Sequence, residues 1–502
     1  MADLSPFEAR GDLVDGRLAL PERADGELVA VDPGDTRESL GAFPFAAESV
    51  ERAVVASRLA WPAWRDADAG ARAAALARFR EALHAEQERL AAVIAREVGK
   101  PLWEARTEVS AMIAKIDITL TQGLELVADR AFELGAGQVG RWRASSRGVF
   151  GVLGPFNFPG HLMHGHVVPA LATGNCVVVK PSEKTPATGQ LYAELVQRAG
   201  FPAGVANVVQ GDATVGARLA AHPSLDGVLF TGSYAAGRRI LEATLDQPWK
   251  LVALEMGGKN GVLVCADADL DAAANAIAFG ACVTSGQRCS ATSRVFAERA
   301  VVDALVERLV KLLRGIAIGH SSDPGAFMGP VITRAARERH AQVLAWAAAD
   351  GAESLVAGGP ADGPRPGHYV RPSLHRLRAT SRESRYQREE HFVPDAFVVA
   401  IDSADEGLAE LDATDFGLAA SVFTRSRATY ERAARVLRVG CLNWNAPTVG
   451  ASSKLPFGGV KRSGNDRAAG AASTLHTTFP QANLEIAEPG PAAKFPGFPS
   501  LA

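Results

Sequence analysis

"GVFGVLG" at 148–154 and "CVVVK" at 176–180 decide the fold, because each is a short β-branched run with no polar face to turn toward water. Three more such runs follow: "VANVVQG" at 205–211, "DGVLFTG" at 226–232 and "KLVALEMGG" at 250–258. Helix-like segments of crossover length separate them. The alternation predicts an α/β fold, a parallel sheet with helices on both faces, and such sheets bind ligands beyond the carboxyl ends of their strands. Upstream, residues 47–64 and 71–98 carry apolar side chains at helical spacing, for example Leu76, Phe79, Leu83, Leu90, Val93 and Ile94. Downstream, a second α/β stretch runs from about 260 to 440. The stretch "STLHTTFPQANLEI" at 473–486 then reads as an extended strand with no partner close in sequence, ahead of a Pro/Gly-rich tail. The sequence contains no internal repeat.

At 502 residues the chain exceeds one compact core and calls for two or three domains. Its 47% hydrophobic and 22% charged residues are those of a globular protein, and a net charge of -3 points to a small-molecule partner, with no nucleic acid and no membrane. The five cysteines, at 176, 265, 282, 289 and 441, form no CxxC pair, and their odd number argues against a disulfide framework. That is the usage of a reducing compartment. The opening "MADLSPFEARGD" lacks a basic segment followed by an apolar one, and no run of 18 apolar residues occurs, so the expected location is the cytoplasm.

Chemistry-bearing residues gather at strand ends. Glu255 closes the apolar run of "VALEMGGKN", where desolvation would raise a carboxyl toward the range of a general base; a strand-end acid paired with Lys259 is the other reading. Asn157 in "GPFNFPGHLMHGH" is either a turn residue before Pro159 or an amide able to donate to an oxyanion. Lys180 and Glu183 in "VVVKPSEKTP" either form a solvated loop or take the hydroxyls of a ribose. Gly232, Ser233 and Gly237 in "FTGSYAAG" end a strand and open a helix, where main-chain N–H groups receive a diphosphate. Cys289, in "TSGQRCSAT", is either an inert buried thiol, as free cysteines usually are, or a nucleophile; unlike the other cysteines it follows small and polar residues suited to an exposed turn. His161, His164 and His166 lie close together, but no second ligand cluster accompanies them, so no metal is expected.

Taken in order, Asn157, "KPSEKTP", "FTGS", "LEMGGKN", "GQRC", "DPGAFMGP", "EEHF" and "PFGGVKRSG" resemble the NAD(P)-dependent aldehyde dehydrogenase superfamily over nearly the whole chain. "KPLWEARTEV", "GHVVPAL", "SGQRC" and "LNWNAPTVGAS" resemble most its branch acting on N-succinylglutamate 5-semialdehyde, in arginine catabolism. The chain departs from that branch at Met163-His164, where Pro-Asn is usual, at Val393, where Gly is usual, and at "AAGAASTLHTTF", where aromatic residues are usual.

The resemblance implies a Rossmann-type coenzyme domain (1–127 and 147–256), an α/β catalytic domain (257–455), oligomerisation strands (128–146 and 472–487) and a tail (488–502), assembled as a homodimer or homotetramer. The last strand would then find its partner in another subunit. It makes Cys289 the nucleophile, Asn157 an oxyanion donor and Glu255 the base that hydrolyses a thioester, which favours acid formation over transfer to coenzyme A. It assigns the coenzyme to Lys180, Ser182, Glu183, Phe230, Gly232, Ser233, Gly237, Gly257, Glu390 and Phe392, and the Glu183 carboxylate favours NAD over NADP. His161, His164, Arg288 and Phe457 are candidates for the substrate, with Lys454, Lys461 and Arg462 as further cations and Met163 as an apolar wall. Two other functions remain open on the sequence: a broad-range aliphatic or aromatic aldehyde dehydrogenase, and a non-catalytic member kept for assembly.

Overall fold

In the computed structural model, which describes residues 7–135, 137–488 and 495–499, the apolar runs form the spine of the first of two large sheets. The chain opens with two hairpins, β1 (Asp12–Val14) with β2 (Arg17–Ala19) and β3 (Gly26–Val31) with β4 (Ser39–Phe45). The helices α1 (Ser49–Asp66), α2 (Ala69–Ala85), α3 (Gln87–Val98) and α4 (Leu102–Ile118) follow. The helical spacing over 71–98 is divided between α2 and α3, and its six apolar markers from Leu76 to Ile94 are all buried. An antiparallel pair, the exposed β5 (Arg130–Gly135) and the mostly half-buried β6 (Gln138–Ser146), leads into the sheet.

There β7 (Val149–Leu153), β8 (Cys176–Lys180), β9 (Ala206–Val208), β10 (Gly227–Thr231) and β11 (Leu251–Glu255) run parallel. Their crossovers are α5 (His161–Ala172), α6 (Pro186–Ala199), α7 (Ala213–Ala221) and α8 (Tyr234–Ala243). The order is β11-β10-β7-β8-β9, with β1 and β2 added at the edge. From β7 the chain moves to β8 and β9 on one side and returns to β10 on the other. The loops leaving β7 and β10 therefore diverge, which opens a crevice at their carboxyl ends.

Four residues, Met256 to Lys259, join β11 to β12 (Asn260–Val264) in the second sheet. That sheet also holds β13 (Thr292–Glu298), β14 (Glu353–Pro360), β15 (Val370–Leu377), β16 (Asp395–Ile401) and the strands Ala419–Phe423 and Cys441–Trp444. All its pairs are parallel except β14 with β15. Helix α9 (Leu270–Cys282) packs on it and delivers the loop 283–291, which enters β13. So short a link sets the mouths of both sheets against each other.

The last strand, Thr478–Ile486, pairs with β6 from Thr478 opposite Ser146 to Ile486 opposite Gln138. Within the chain the strand thus has a partner far away in sequence, and it stands at the edge of the three-stranded sheet, with pairing to another subunit still an expectation for its other side. The strand also starts at 478, because residues 473–477 form a short helix. The resulting three-stranded arm leaves Phe132, Leu134, Trp142, Leu484 and Ile486 exposed. Of the tail expected at 488–502, only Glu488 and residues 495–499 fall within the described residues, and residues 1–6 of the first expected segment lie outside them. No described helix is long and apolar enough to cross a membrane.

Candidate active site

The crevice and the loop before β13 share one cavity of about 780 Å³, and Cys289 lines it. Cys176, Cys265 and Cys282 are buried, whereas Cys289 and Cys441 are half-buried, and of these two only Cys289 lines the cavity. The turn before it contains three consecutive residues in the left-handed region, Thr284 (φ 54°), Ser285 (φ 54°) and Gly286 (φ 71°). Left-handed backbone is costly for residues with a side chain and persists only where surroundings fix it. Here Glu104 of α4 accepts hydrogen bonds from the Thr284 N–H and hydroxyl, Ser285 Oγ donates to the Gly329 carbonyl at 2.7 Å, and a Cβ at Gly286 would lie 2.3 Å from the Val393 main chain. Asn260 Nδ2 then donates to the Cys289 carbonyl at 2.8 Å. The sulfur is held by its backbone.

Asn157, in the loop after β7, lines the same cavity and donates one Nδ2–H to the Gln287 carbonyl at 3.0 Å, leaving its second N–H available. Its own carbonyl accepts from Lys100 Nζ at 2.7 Å. Lys100 is in turn ion-paired with Glu108 of α4 at 2.8 Å, both side chains being fully buried, and Glu108 Oε1 accepts the main-chain N–H groups of Gly160 and His161. One helix therefore anchors both loops. Glu104 and Glu108 stand four residues apart on α4, hence on one face, the first holding the cysteine turn and the second the asparagine turn.

Glu255 ends β11 and lines the cavity, and its Oε2 is buried without a hydrogen-bond partner. Burial raises its carboxyl well above the usual range, and the main-chain N–H groups of Ala469 and Gly459 offset only part of this. A Cβ at Gly458 would lie 2.6 Å from Glu255 Oε1, so a glycine there leaves the carboxyl its room. The alternative pairing with Lys259 is not made: Lys259 Nζ meets His391 Nε2 at 2.8 Å. The Cys289 thiol is pushed up to about 12 by burial and by the Glu390 and Glu255 carboxylates, which Arg288 only partly opposes. At neutral pH it is a thiol that needs a proton acceptor before it can attack.

At the other end of the cavity lie Lys180, Ser182, Glu183, Phe230, Gly232, Ser233, Gly257, Glu390 and Phe392. Lys180 Nζ and Glu183 Oε2 are 3.0 Å apart, and burial, although it raises Glu183, is outweighed by Lys180 and neighbouring donors, so the carboxyl ends below its usual range. Ser233 caps α8, its Oγ accepting the Ala236 N–H at 3.3 Å, and the positive end of that helix faces the crevice. A Cβ at Gly257 would lie 2.1 Å from Glu390 Oε2, and Glu390 Oε1 accepts the Gly258 N–H at 3.0 Å. A carboxylate beside a lysine, a capped helix N-terminus and a second buried carboxylate further along suit two riboses joined by a diphosphate. Gly237 is a correction: it does not line the cavity, and its missing Cβ makes room for Met256 Sδ, 2.5 Å from where that atom would be. Its service is packing of helix on strand.

Among the substrate candidates, His161, Arg288 and Phe457 line the cavity. His164 does not: it is fully buried, with Nδ1 3.2 Å from the Tyr192 hydroxyl and Nε2 3.0 Å from the Met112 carbonyl. Met163, expected as an apolar wall, packs behind Gly154 in the core. The 3.6-residue period explains both, since it puts positions 161, 162, 165 and 166 of α5 on one face and 163 and 164 on the other. Arg288 is neutralised by Glu104 at 2.8 Å, while Lys461 is paired with Asp412 and Arg462 with Asp415 outside the cavity. Lys454 is exposed and does not line it. Among the described residues no cluster of His, Cys, Asp or Glu is placed to hold a metal. Lys115 also lines the cavity and was not singled out from the sequence, and His166, noted there only as one of three clustered histidines, lines it as well. The signal for Lys115 was its position on α4, seven residues after Glu108 and on the same face.

The sequence profile of the aldehyde dehydrogenase family matches residues 22–482. An N-succinylglutamate 5-semialdehyde dehydrogenase from Caulobacter vibrioides is 41% identical over 482 residues, covering 93% of this chain and 98% of that protein. One of the same name from Novosphingobium aromaticivorans is 38% identical over 441 residues, 88% of this chain and 93% of its own. Among solved structures, an NAD-dependent aldehyde dehydrogenase from Sinorhizobium meliloti superimposes with a TM-score of 0.91 at 32% identity, over 96% of each chain. An indole-3-acetaldehyde dehydrogenase from P. syringae, in complex with NAD+ and IAA, gives 0.90 at 29% identity, over 96% of this chain and 97% of that one. Sequence pattern and backbone agree over most of the chain, and this aldehyde-oxidising enzyme, which uses NAD(P), belongs to the aldehyde dehydrogenase family.

Proposed function

We propose that the enzyme oxidises N-succinylglutamate 5-semialdehyde to N-succinylglutamate, with NAD preferred over NADP. The observation that carries the chemistry is the single cavity lined by Cys289, Asn157 and Glu255 at one end and by Glu183 and Glu390 at the other. Cys289 Sγ bonds to the aldehyde carbon as its proton passes to a solvent water and the carbonyl π electrons move onto the aldehyde oxygen. The free Asn157 N–H and the Cys289 main-chain N–H donate to the oxyanion of the thiohemiacetal. A bound NAD(P)+ supplies the hydride acceptor. Lys180 and Glu183 would hold one ribose, Gly232, Ser233 and the α8 N-terminus the diphosphate, and Glu390 the second ribose. Water, losing a proton to Glu255, breaks the carbon–sulfur bond of the thioester, releasing the acid and the thiol.

The named relatives support the substrate, and so does the loss of the apolar wall: with Met163 in the core, the argument for a broad aliphatic or aromatic range loses its residue. Glu183 supports NAD, because a half-exposed carboxylate there would repel a 2′-phosphate. The first sheet would carry the coenzyme, the second the nucleophile, and the three-stranded arm, with its exposed apolar residues, the contacts of a homodimer or homotetramer. Five free cysteines support a reducing compartment, the cytoplasm. An aldehyde panel assayed with each coenzyme tests the proposal. The succinylated semialdehyde with NAD should have the highest kcat/KM, and hexanal or benzaldehyde exceeding every carboxylate-bearing semialdehyde by about tenfold would overturn it.

A further inference from the structure

Two buried lysines stand on the cavity wall, and only one has a carboxylate. Lys180 is paired with Glu183, whereas no described carboxylate lies within ion-pair distance of Lys115. Lys115 Nζ donates to the Gly470 carbonyl at 2.6 Å and to Ser473 Oγ at 3.3 Å, two neutral acceptors for three N–H bonds. Burial without a counterion lowers its pKa to about 7. Nothing in the catalytic sequence uses it.

Across from Lys115, α5 presents His161 and His166 to the same cavity. Nδ1 of each is buried with no hydrogen-bond partner. Both rings are neutral at physiological pH, lowered to about 4 by burial first and then by the Lys115 charge, so each can donate an N–H. A Cβ at Gly165, between them, would meet nothing within 4 Å, so the cavity is open at the helix face between the two rings. The small residues Ala111, Ala469 and Gly470 line the same cavity. A buried cation lacking its anion, two unpartnered ring nitrogens and empty volume between them form an incomplete set, and the group that completes it is a carboxylate, with acceptors for several donors at once.

We propose that Lys115, with His161 and His166, receives the carboxylate of the substrate remote from its aldehyde, and so sets the preference for semialdehydes over uncharged aldehydes. This rests on the function proposed above and names the residues behind it. The three do not touch the reacting atoms, and their effect falls on substrate affinity.

The test compares 5-oxopentanoate with pentanal, equal in chain length and differing in the carboxylate, for the wild type, Lys115→Met and Lys115→Arg. In Lys115→Met, kcat/KM for 5-oxopentanoate should fall about 10–100-fold, mostly through KM, while pentanal changes by less than about threefold, and Lys115→Arg should recover part of the loss. Equal losses on both aldehydes would make Lys115 structural and overturn the assignment. So would an unchanged preference in Lys115→Met. A wild type that does not prefer 5-oxopentanoate would instead overturn the semialdehyde function itself. Should Lys115→Met fail to fold, succinate inhibition of pentanal oxidation provides the readout: competitive in the wild type, and weakened about tenfold or more in Lys115→Gln. Equal inhibition of both would overturn the assignment.

Discussion

The two ends of the cavity are built on opposite principles. At the coenzyme end the polar groups already have partners: Lys180 has Glu183, Ser233 caps α8, and the Glu183 side chain is 43% exposed to water. At the reacting end several lack them: Glu255 Oε2 is buried and unpartnered, no described carboxylate pairs with Lys115, and the Cys289 thiol is held near 12. The first end is complete before a ligand arrives and recognises it by shape and hydrogen bonding. The second is completed by the ligand, and its desolvation makes each new charge or hydrogen bond worth more than it would be in water. Substitutions at the reacting end should therefore cost far more than those at the coenzyme end.

The largest effect is expected at the two groups that exchange protons and bonds with substrate. Cys289→Ala should reduce turnover to background. Glu255→Gln should lower kcat by about 10²–10⁴ while still acylating, so that a thioester accumulates and is seen by intact-protein mass spectrometry. Because Glu255 is the acceptor and burial raises it well above 4.5, acidification protonates it early, and wild-type kcat should fall at a pH above the ordinary carboxylate range. Substantial steady-state activity in Cys289→Ala would break the contrast at its root.

Next in size comes Asn157→Ala, where loss of one oxyanion donor should lower kcat by about 10²–10³ with little change in coenzyme affinity. A loss of only a few-fold would mean that its bond to Gln287 is its whole service.

The smallest effect is expected at the coenzyme end. Glu183→Gln should leave kcat with NAD nearly unchanged and narrow the NAD-over-NADP ratio of kcat/KM by about tenfold, since a half-exposed carboxylate repels through solvent. No change in the ratio would show that Glu183 points away from the ribose, and a collapse of kcat would erase the difference between the two ends.

Both sheets and the motifs at their strand ends were legible because they are local. An apolar run such as Val177–Val179 specifies a doubly buried strand from its own composition, and the residues that follow it arrive at the carboxyl edge without any long-range information. Cys289, Asn157 and Glu255 stood out for the same reason. Facing direction and charge balance were not legible. His164 lies three residues from His161 yet turns into the core, Gly237 makes room for Met256 away from the cavity lining, and the charge of Arg288 is cancelled by a glutamate 184 positions away. Likewise the last strand finds its partner in β6, and Lys115 meets Gly470 across 355 residues.

The amino-acid sequence by itself determined the parallel α/β architecture, the order of the motifs and the identity of the reacting side chains, since each is written in a contiguous stretch. Only the tertiary structure decided which charges are paired, which helix faces meet the cavity and which buried groups are left incomplete. Desolvation and ion pairing depend on atoms brought together from distant segments, and no local pattern encodes that distance.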